Sequence, residues 1–203
     1  MSFIEVAALT IHDVKNRMAH LAGKAERSGD TETLRIALEA AETLTQLLAF
    51  YKSESGILRL DIEAHSPTDL VEELSSETRG MSQILIEQEC SAAPTLAFYD
   101  ETLVRMVLAN ALHNALRYAR SRITISAAER DGYLIFCVRD DGAGYPDSVL
   151  ADSGASAAIT REGTGLGLRL AKRIAELHEN EGNCGTVALA NDNGGVFELR
   201  LPK

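Results

Sequence analysis

The chain has 203 residues, 45% hydrophobic and 25% charged, an ordinary balance for a soluble globular protein and enough length for one large or two small cores. Its 30 acidic residues against 20 basic ones give a net charge of -10, which argues against nucleic acid or an anionic membrane as partner and suits a protein with a basic patch. No apolar run approaches the roughly 18 residues of a membrane span and no signal peptide opens the chain, so a cytoplasmic protein without membrane insertion is expected, with Cys90, Cys137 and Cys184 as reduced thiols rather than metal ligands.

Residues 1–56 predict an antiparallel helical hairpin. Ile4, Ile11, Met18 and Ala25 recur every seven residues, and Ala7, Val14 and Leu21 fill the intervening position, as in a heptad seam. Ser28-Gly29-Asp30-Thr31 breaks the pattern, with a glycine to end one helix and an acidic or hydroxyl residue to cap the next. The second helix continues with Leu34, Ala37, Ala41, Leu44, Leu48 and Tyr51. A lone hairpin cannot bury both seams, and pairing with a second copy in a four-helix bundle is the economical solution. His12 follows Ile11 on the flank of the seam, where it is exposed; Asn16 stacks on it one turn later, and Asp13 is its neighbour. An imidazole beside a carboxylate is a nucleophile or acid–base pair, or simply a solvated histidine, and the hairpin alone leaves both open. His20 lies about 80° around the helix from His12, so the two cannot form an i,i+4 metal pair.

Ser53-Glu54-Ser55-Gly56 reads as a linker, and residues 57–203 as an α/β domain. Strands are expected at 57–64, 84–89, 95–99, 122–128, 133–139, 186–190 and 196–201, with hairpin turns at Asp131-Gly132 and Asn193-Gly194-Gly195. Helices are expected from Ser66-Pro67 to about Arg79, from the Asp100 cap through Tyr118, and from Leu166 to about Glu179. Residues 141–162 are polar, without period and long for a loop, as lids and binding segments often are. The architecture is α+β: a mostly antiparallel sheet with helices on one face.

Three motifs in this domain carry chemistry. Asn110 and Asn114 stand i,i+4 on an otherwise apolar helix, with Arg117 and Tyr118 continuing that side. Such amides need partners: oxygen ligation of Mg²⁺ with phosphate is one reading, hydrogen bonds to loops the other. Asp140-Asp141-Gly142-Ala143-Gly144 puts a carboxylate at a strand end, followed by glycines that allow close backbone approach. Gly163-Thr164-Gly165-Leu166-Gly167-Leu168 runs into a helix, an anion-friendly nest without the βαβ unit of a dinucleotide fold or the lysine of a Walker A loop.

In this order and spacing the three motifs resemble the N, G1 and G2 boxes of the ATP-binding domain of sensor histidine kinases, a fold shared with gyrase, a heat-shock chaperone and mismatch-repair ATPases. Residues 171–178 and 197–202 are also similar to that family's, and His12-Asp13 then resembles the H-box of the dimerisation and phosphotransfer hairpin. The resemblance implies a homodimer that binds ATP and Mg²⁺, phosphorylates itself on His12 and passes the phosphoryl group to an aspartate of a response-regulator receiver domain. It implies that Asn114 ligates Mg²⁺ with Asn110 beside it, that Arg117 touches phosphate, and that Tyr118 packs near the nucleotide. Asp140 would accept the adenine amine, and Gly142 and Gly144 would shape the pocket. Gly163, Thr164, Gly165, Leu166, Gly167 and Leu168 would lie over the phosphates, with 141–162 as lid. Asp13 would hydrogen-bond one ring nitrogen of His12, and Asn16 matches the residue that orients water for dephosphorylation of the receiver. Two departures stand out: Arg17 replaces a proline that often follows, so the first helix is expected to lack a kink, and the lid has no Phe-rich box. With no sensor segment before His12, a separate sensor protein is expected as input. The alternative is a histidine phosphotransferase relay module that binds ATP weakly or not at all. A serine kinase of the anti-sigma type, or a pure ATP-driven clamp, shares the nucleotide boxes but needs no such hairpin.

Overall fold

A left-handed glycine and an acidic cap divide the N-terminal helical signal in two. In the computed structural model, which describes residues 3–80, 83–151 and 165–203, helix α1 (Phe3–Ser28) ends before Gly29, whose φ of 70° suits a residue without Cβ. Helix α2 (Thr31–Glu54) starts on Asp30, whose carboxylate accepts hydrogen bonds from the Thr33 N–H at 3.0 Å and the Thr33 hydroxyl at 2.7 Å. α1 runs through Arg17 without a break.

The two helices pack through small residues: Ala22, Ala25, Ala37 and Ala49 are buried, with Gln46 and Ser53 among them. Most of the predicted seam, including Ile11, Val14, Met18, Leu34, Leu44 and Leu48, is only half-buried, and Leu21 is exposed. Ile36 and Leu47 are also exposed, at 51% and 38%. They lie eleven residues apart, about 20° around the helix, and so share one stripe of α2. The hairpin occupies one unit of the chain, Met1–Leu58, and Arg59–Lys203 form the other.

The second unit opens with β1 (Glu63–His65), shorter than the predicted 57–64. Among the described residues the alternation there has no neighbour to pair with before Glu63, so Ile57 and Ile62 stay exposed, and only three residues pair with β3. Helix α3 (Pro67–Arg79) begins as its sequence dictates, with Ser66 accepting from the Asp69 N–H and Pro67 in the first turn. β2 (Leu85–Ala92) and β3 (Ala97–Tyr99) precede α4 (Glu101–Tyr118), capped by Asp100. β4 (Arg122–Arg130) and β5 (Tyr133–Asp140) join through Asp131-Gly132, both at positive φ as the tight hairpin turn requires.

Helix α5 (Asp147–Ala151) buries nothing and is too short to show a period, which is why the sequence read as loop there. After α6 (Leu166–Leu177) comes a small hairpin, β6 (Glu179–Asn180) and β7 (Asn183–Cys184), which the sequence did not announce. Its Glu181-Gly182 turn has the same positive φ values as Asp131-Gly132, but glutamate is not a turn signal. β8 (Thr186–Asn191) and β9 (Gly195–Pro202) close the chain.

The main sheet runs β2-β4-β5-β9-β8, with β2 and β4 parallel and the other neighbours antiparallel, so the domain is α+β with a mixed sheet. Helices α3, α4 and α6 pack on the sheet and on one another as a single layer. The core between them includes Leu70, Leu74, Leu108, Leu112, Ile123, Ile125, Phe136, Ile174, Leu199 and Leu201, and Tyr99 meets Phe136 edge-on with centroids 5.7 Å apart.

A buried polar tie joins the start of α4 to the end of α6. His178 Nε2 accepts from the Asp100 backbone N–H at 3.1 Å, and Nδ1 donates to the Ile174 carbonyl at 2.8 Å. The ring is therefore neutral, and burial pushes its pKa below the ordinary histidine value.

Candidate functional site

Strand register builds the site around the end of β5. Asp140, the last residue of β5, is opposite Ile123 of β4 and one step past the Arg139–Val196 pair, which brings it beside Gly195 of β9. Its Oδ1 accepts from the Gly142 N–H at 2.7 Å and the Gly195 N–H at 3.2 Å. One oxygen is thus used by the fold; no hydrogen bond is found to Oδ2 among the described residues.

The approach of these backbones needs glycine. A Cβ on Gly142 would lie 2.2 Å from the Tyr118 carbonyl oxygen, and one on Gly195 would lie 2.6 Å from Asp140 Oδ2. Asp141, adjacent in sequence, does something different. It accepts from the backbone N–H groups of Arg120 and Ser121 and from the Ser121 hydroxyl, which ties the α4–β4 connection to this loop and holds its carboxyl well below the usual range.

Helix α4 connects this loop to the glycines of the third motif. Near its end Gly142 abuts Tyr118. Eight residues earlier, Asn110 lies against Gly167, where a Cβ would come within 2.3 Å of Nδ2. The two contacts are about 12 Å apart along the helix axis. Between them Asn110 is half-buried, and Asn114, Arg117 and Tyr118 are exposed on the same side, with the Arg117 guanidinium 5.6 Å from the Tyr118 ring centroid.

The N-terminus of α6 completes the arrangement. Gly165 sits at φ 64° as its first flanking residue and provides no side-chain cap, and the first turn, with Leu166, Gly167 and Leu168, carries no acidic residue against the partial positive charge of the helix end. Gly163 and Thr164 lie outside the described residues, as do positions 152–162 of the expected lid. The three motifs therefore meet along α4: a lone carboxylate oxygen at one end, an anion-seeking helix terminus at the other, and amide oxygens between. That is a fit for an elongated ligand with a hydrogen-bond donor at one end and anionic oxygens at the other. Asn114 is the exposed amide that could hold a hard cation there; no group of three or more His, Cys, Asp or Glu side chains is arranged for a metal among the described residues, and an ion shared with phosphate oxygens needs none.

Tyr145, Asn191 and Gly194 also belong to this site; the sequence pointed to neither of the first two, and to Gly194 only as part of a hairpin turn. Gly144, at φ 80°, leads to Tyr145, whose backbone N–H and carbonyl are both bonded by the Asn191 side chain. The Tyr145 phenol is pushed above its ordinary pKa, first by burial and then by Asp140. Gly194, at φ 152°, comes so close to the Asp140 carbonyl that no Cβ fits. The available signal was two successive glycines where a hairpin turn needs one.

On α1, the Asn16 amide nitrogen lies 3.2 Å from His12 Nδ1, and both residues are exposed. Asp13 makes no hydrogen bond to the ring among the described residues, contrary to expectation, because side chains one apart on a helix do not face each other whereas those four apart do. Nε2 of His12 is left without a partner among the described residues.

Known proteins resemble this chain in sequence and in fold. The family described as histidine kinase-, DNA gyrase B-, and HSP90-like ATPase matches residues 99–203. The chain is 30% identical over 179 residues to the signal transduction histidine-protein kinase AfsQ2 of Streptomyces coelicolor, covering 85% of this chain and 32% of that protein. It is 28% identical over 183 residues to the sensor protein PhoQ of Escherichia coli, covering 84% of this chain and 38% of that one. It thus spans about a third of the length of these curated relatives. In fold it is similar to full-length ShkA in complex with AMPPNP, with a TM-score of 0.72 and 21% identity over 97% of this chain and 44% of that one. It is also similar to the histidine kinase AdeS of Acinetobacter baumannii, with a TM-score of 0.62 and 19% identity over 94% and 97%.

Proposed function

This chain belongs to the family of histidine kinase-, DNA gyrase B- and HSP90-like ATPases, and on that premise we propose that it is the core of a two-component histidine kinase. Residues 1–56 are its dimerisation and phosphotransfer hairpin, and residues 57–203 its ATP-binding domain. The observation that carries this reading is the acceptor left on Asp140 at one end of α4, where Gly142 abuts Tyr118, with the glycine-led α6 N-terminus against Asn110 at the other, about 12 Å away.

The adenine amine donates to Asp140 Oδ2, Tyr118 packs near the nucleotide, and Arg117, Gly165 and Gly167 bind phosphate oxygens, joined by Gly163 and Thr164. Asn114, with Asn110 beside it, holds Mg²⁺, which supplies charge neutralisation on the phosphates when bound. His12 Nε2 attacks the γ-phosphorus: an N–P bond forms, the bond from phosphorus to the ADP oxygen breaks, and ADP leaves. Nucleophilic attack by Nε2 requires the ring proton on Nδ1; the Asn16 amide nitrogen lies 3.2 Å from that atom, and turning the amide over would present its oxygen there to accept the proton. The phosphoryl group then passes to an aspartate of a response-regulator receiver, and Asn16 orients the water that later removes it. A second copy covers the exposed stripe of Ile36 and Leu47, giving a four-helix bundle.

The test is incubation with γ-labelled ATP and Mg²⁺. Acid-labile label is expected on wild type and absent from His12→Ala. Absence of label in wild type counts against the kinase, and a calorimetric titration showing no ATP binding would support a relay module instead.

A further inference from the structure

We propose that Asn191 is a positioning residue for nucleotide binding: its amide clamps the Tyr145 backbone and thereby holds the Tyr145 ring as a wall of the base site beside Asp140. The inference rests on the reading of the Asp140 loop as the base end of an ATP site.

The geometry is two-sided. Asn191 Oδ1 accepts from the Tyr145 N–H at 2.7 Å, and Asn191 Nδ2 donates to the Tyr145 carbonyl at 2.9 Å. A single side chain therefore pairs with both backbone groups of a residue 46 positions away, as a neighbouring strand would. Only an amide of this length supplies a donor and an acceptor in the same plane; aspartate loses the donor and serine one of the two.

The residue between the motif carboxylate and the clamp has to be glycine. At Gly144 a Cβ would meet Asn191 Oδ1 at 2.6 Å, and φ is 80°. The ring this fixes is half-buried and lies within 3.3 Å of where a Cβ on Gly195 would stand, the same glycine whose N–H holds Asp140 Oδ1. The Arg139–Asp192 ion pair, at 3.1 Å, adds a second link from the β8–β9 turn to β5. Asn191 thus acts at one remove: it touches no ligand and sets where the Tyr145 ring stands relative to Oδ2.

A general loosening of the domain would weaken the phosphate end as well as the base end, and this separates the two explanations. The experiment uses the full chain as wild type, Asn191→Ala and Asn191→Asp. Calorimetric titration gives the affinity for ADP and, separately, for inorganic tripolyphosphate with Mg²⁺, while ¹³C-labelled tyrosine reports the titration of Tyr145. Asn191→Ala is expected to weaken ADP binding roughly tenfold, to leave tripolyphosphate within about twofold, and to bring the Tyr145 midpoint down towards 10.0, its ordinary value. Asn191→Asp, which keeps the acceptor and loses the donor, falls between. Unchanged ADP affinity and an unchanged Tyr145 titration in both variants overturn the proposal, as does an equal loss for ADP and tripolyphosphate. Failure of wild type to bind ADP overturns the nucleotide reading instead, and the Tyr145 titration still decides whether the clamp exists.

Discussion

Replacing Gly142 by alanine tests whether close backbone packing builds the Asp140 loop. Gly142 is not among the glycines at positive φ, so alanine meets no conformational penalty, and the conflict is purely one of space. The added Cβ would lie 2.2 Å from the Tyr118 carbonyl oxygen and 2.7 Å from Asp140 Oδ1, against the 3.4 Å at which ordinary contact begins. The Tyr118 carbonyl is backbone at the end of α4 and cannot swing aside, so the loop must retreat by about an ångström. Retreat breaks the 2.7 Å hydrogen bond from the Gly142 N–H to the carboxylate. Such a charge-assisted bond is worth about 1.5–3 kcal/mol, and overpacking costs about 1–3 kcal/mol. The two overlap, since one movement relieves the first by sacrificing the second, so a loss of about 2–4 kcal/mol is expected. For a domain of this size that lowers Tm by roughly 5–15 °C. The control is Gly132→Ala, at φ 81° with nothing within 4 Å, which costs only the left-handed penalty of about 1–2 kcal/mol and stands at a turn with no part in the site. Calorimetric melting of the full chain and titration with ADP decide the matter. If Gly142→Ala melts no lower than Gly132→Ala and binds ADP as wild type does, the steric account of this loop is wrong.

Asp140→Asn keeps the shape and the Oδ1 acceptor but turns a donor towards the adenine amine; ADP affinity should fall about a hundredfold, while inosine diphosphate, which offers a carbonyl there, loses far less, and an equal loss for both in titration calorimetry would refute the base-end assignment. His178 is neutral in the fold with its pKa below 6.5, so the unfolded chain binds the extra proton: stability should be full above pH 6.5 and decline as pH falls from there to the folded pKa, and the decline should vanish in His178→Gln measured by denaturant unfolding across that range. Ile36→Glu with Leu47→Glu places charge on the exposed stripe of α2 and should turn a dimer into a monomer in sedimentation; a variant that stays dimeric would show that the second copy sits elsewhere.

Local rules made much of this fold legible. Ser66-Pro67, Asp100 and Asp131-Gly132 each announced an element boundary, because caps and tight turns are decided within four residues. The pairing partner of a strand is not local, so 57–64 read as a strand although only Glu63–His65 finds a neighbour. The candidate site divides in the same way. Its motifs could be read, but not the division of labour inside them: Asp140 and Asp141 are identical in sequence, and the strand end leaves the first one carboxylate oxygen outside the fold's own hydrogen bonds and gives the second a structural task on Ser121. On α1 the ring of His12 meets Asn16 rather than Asp13, although helical spacing alone would have predicted it. Asn191 lay beyond reach altogether, since only a sheet that puts β9 between β5 and β8 brings it to Tyr145. It follows that sequence names the chemical groups of such a site while register assigns them, and a variant that shifts β9 by one residue should therefore disturb Asp140, Tyr145 and Gly195 together, even with every motif residue intact.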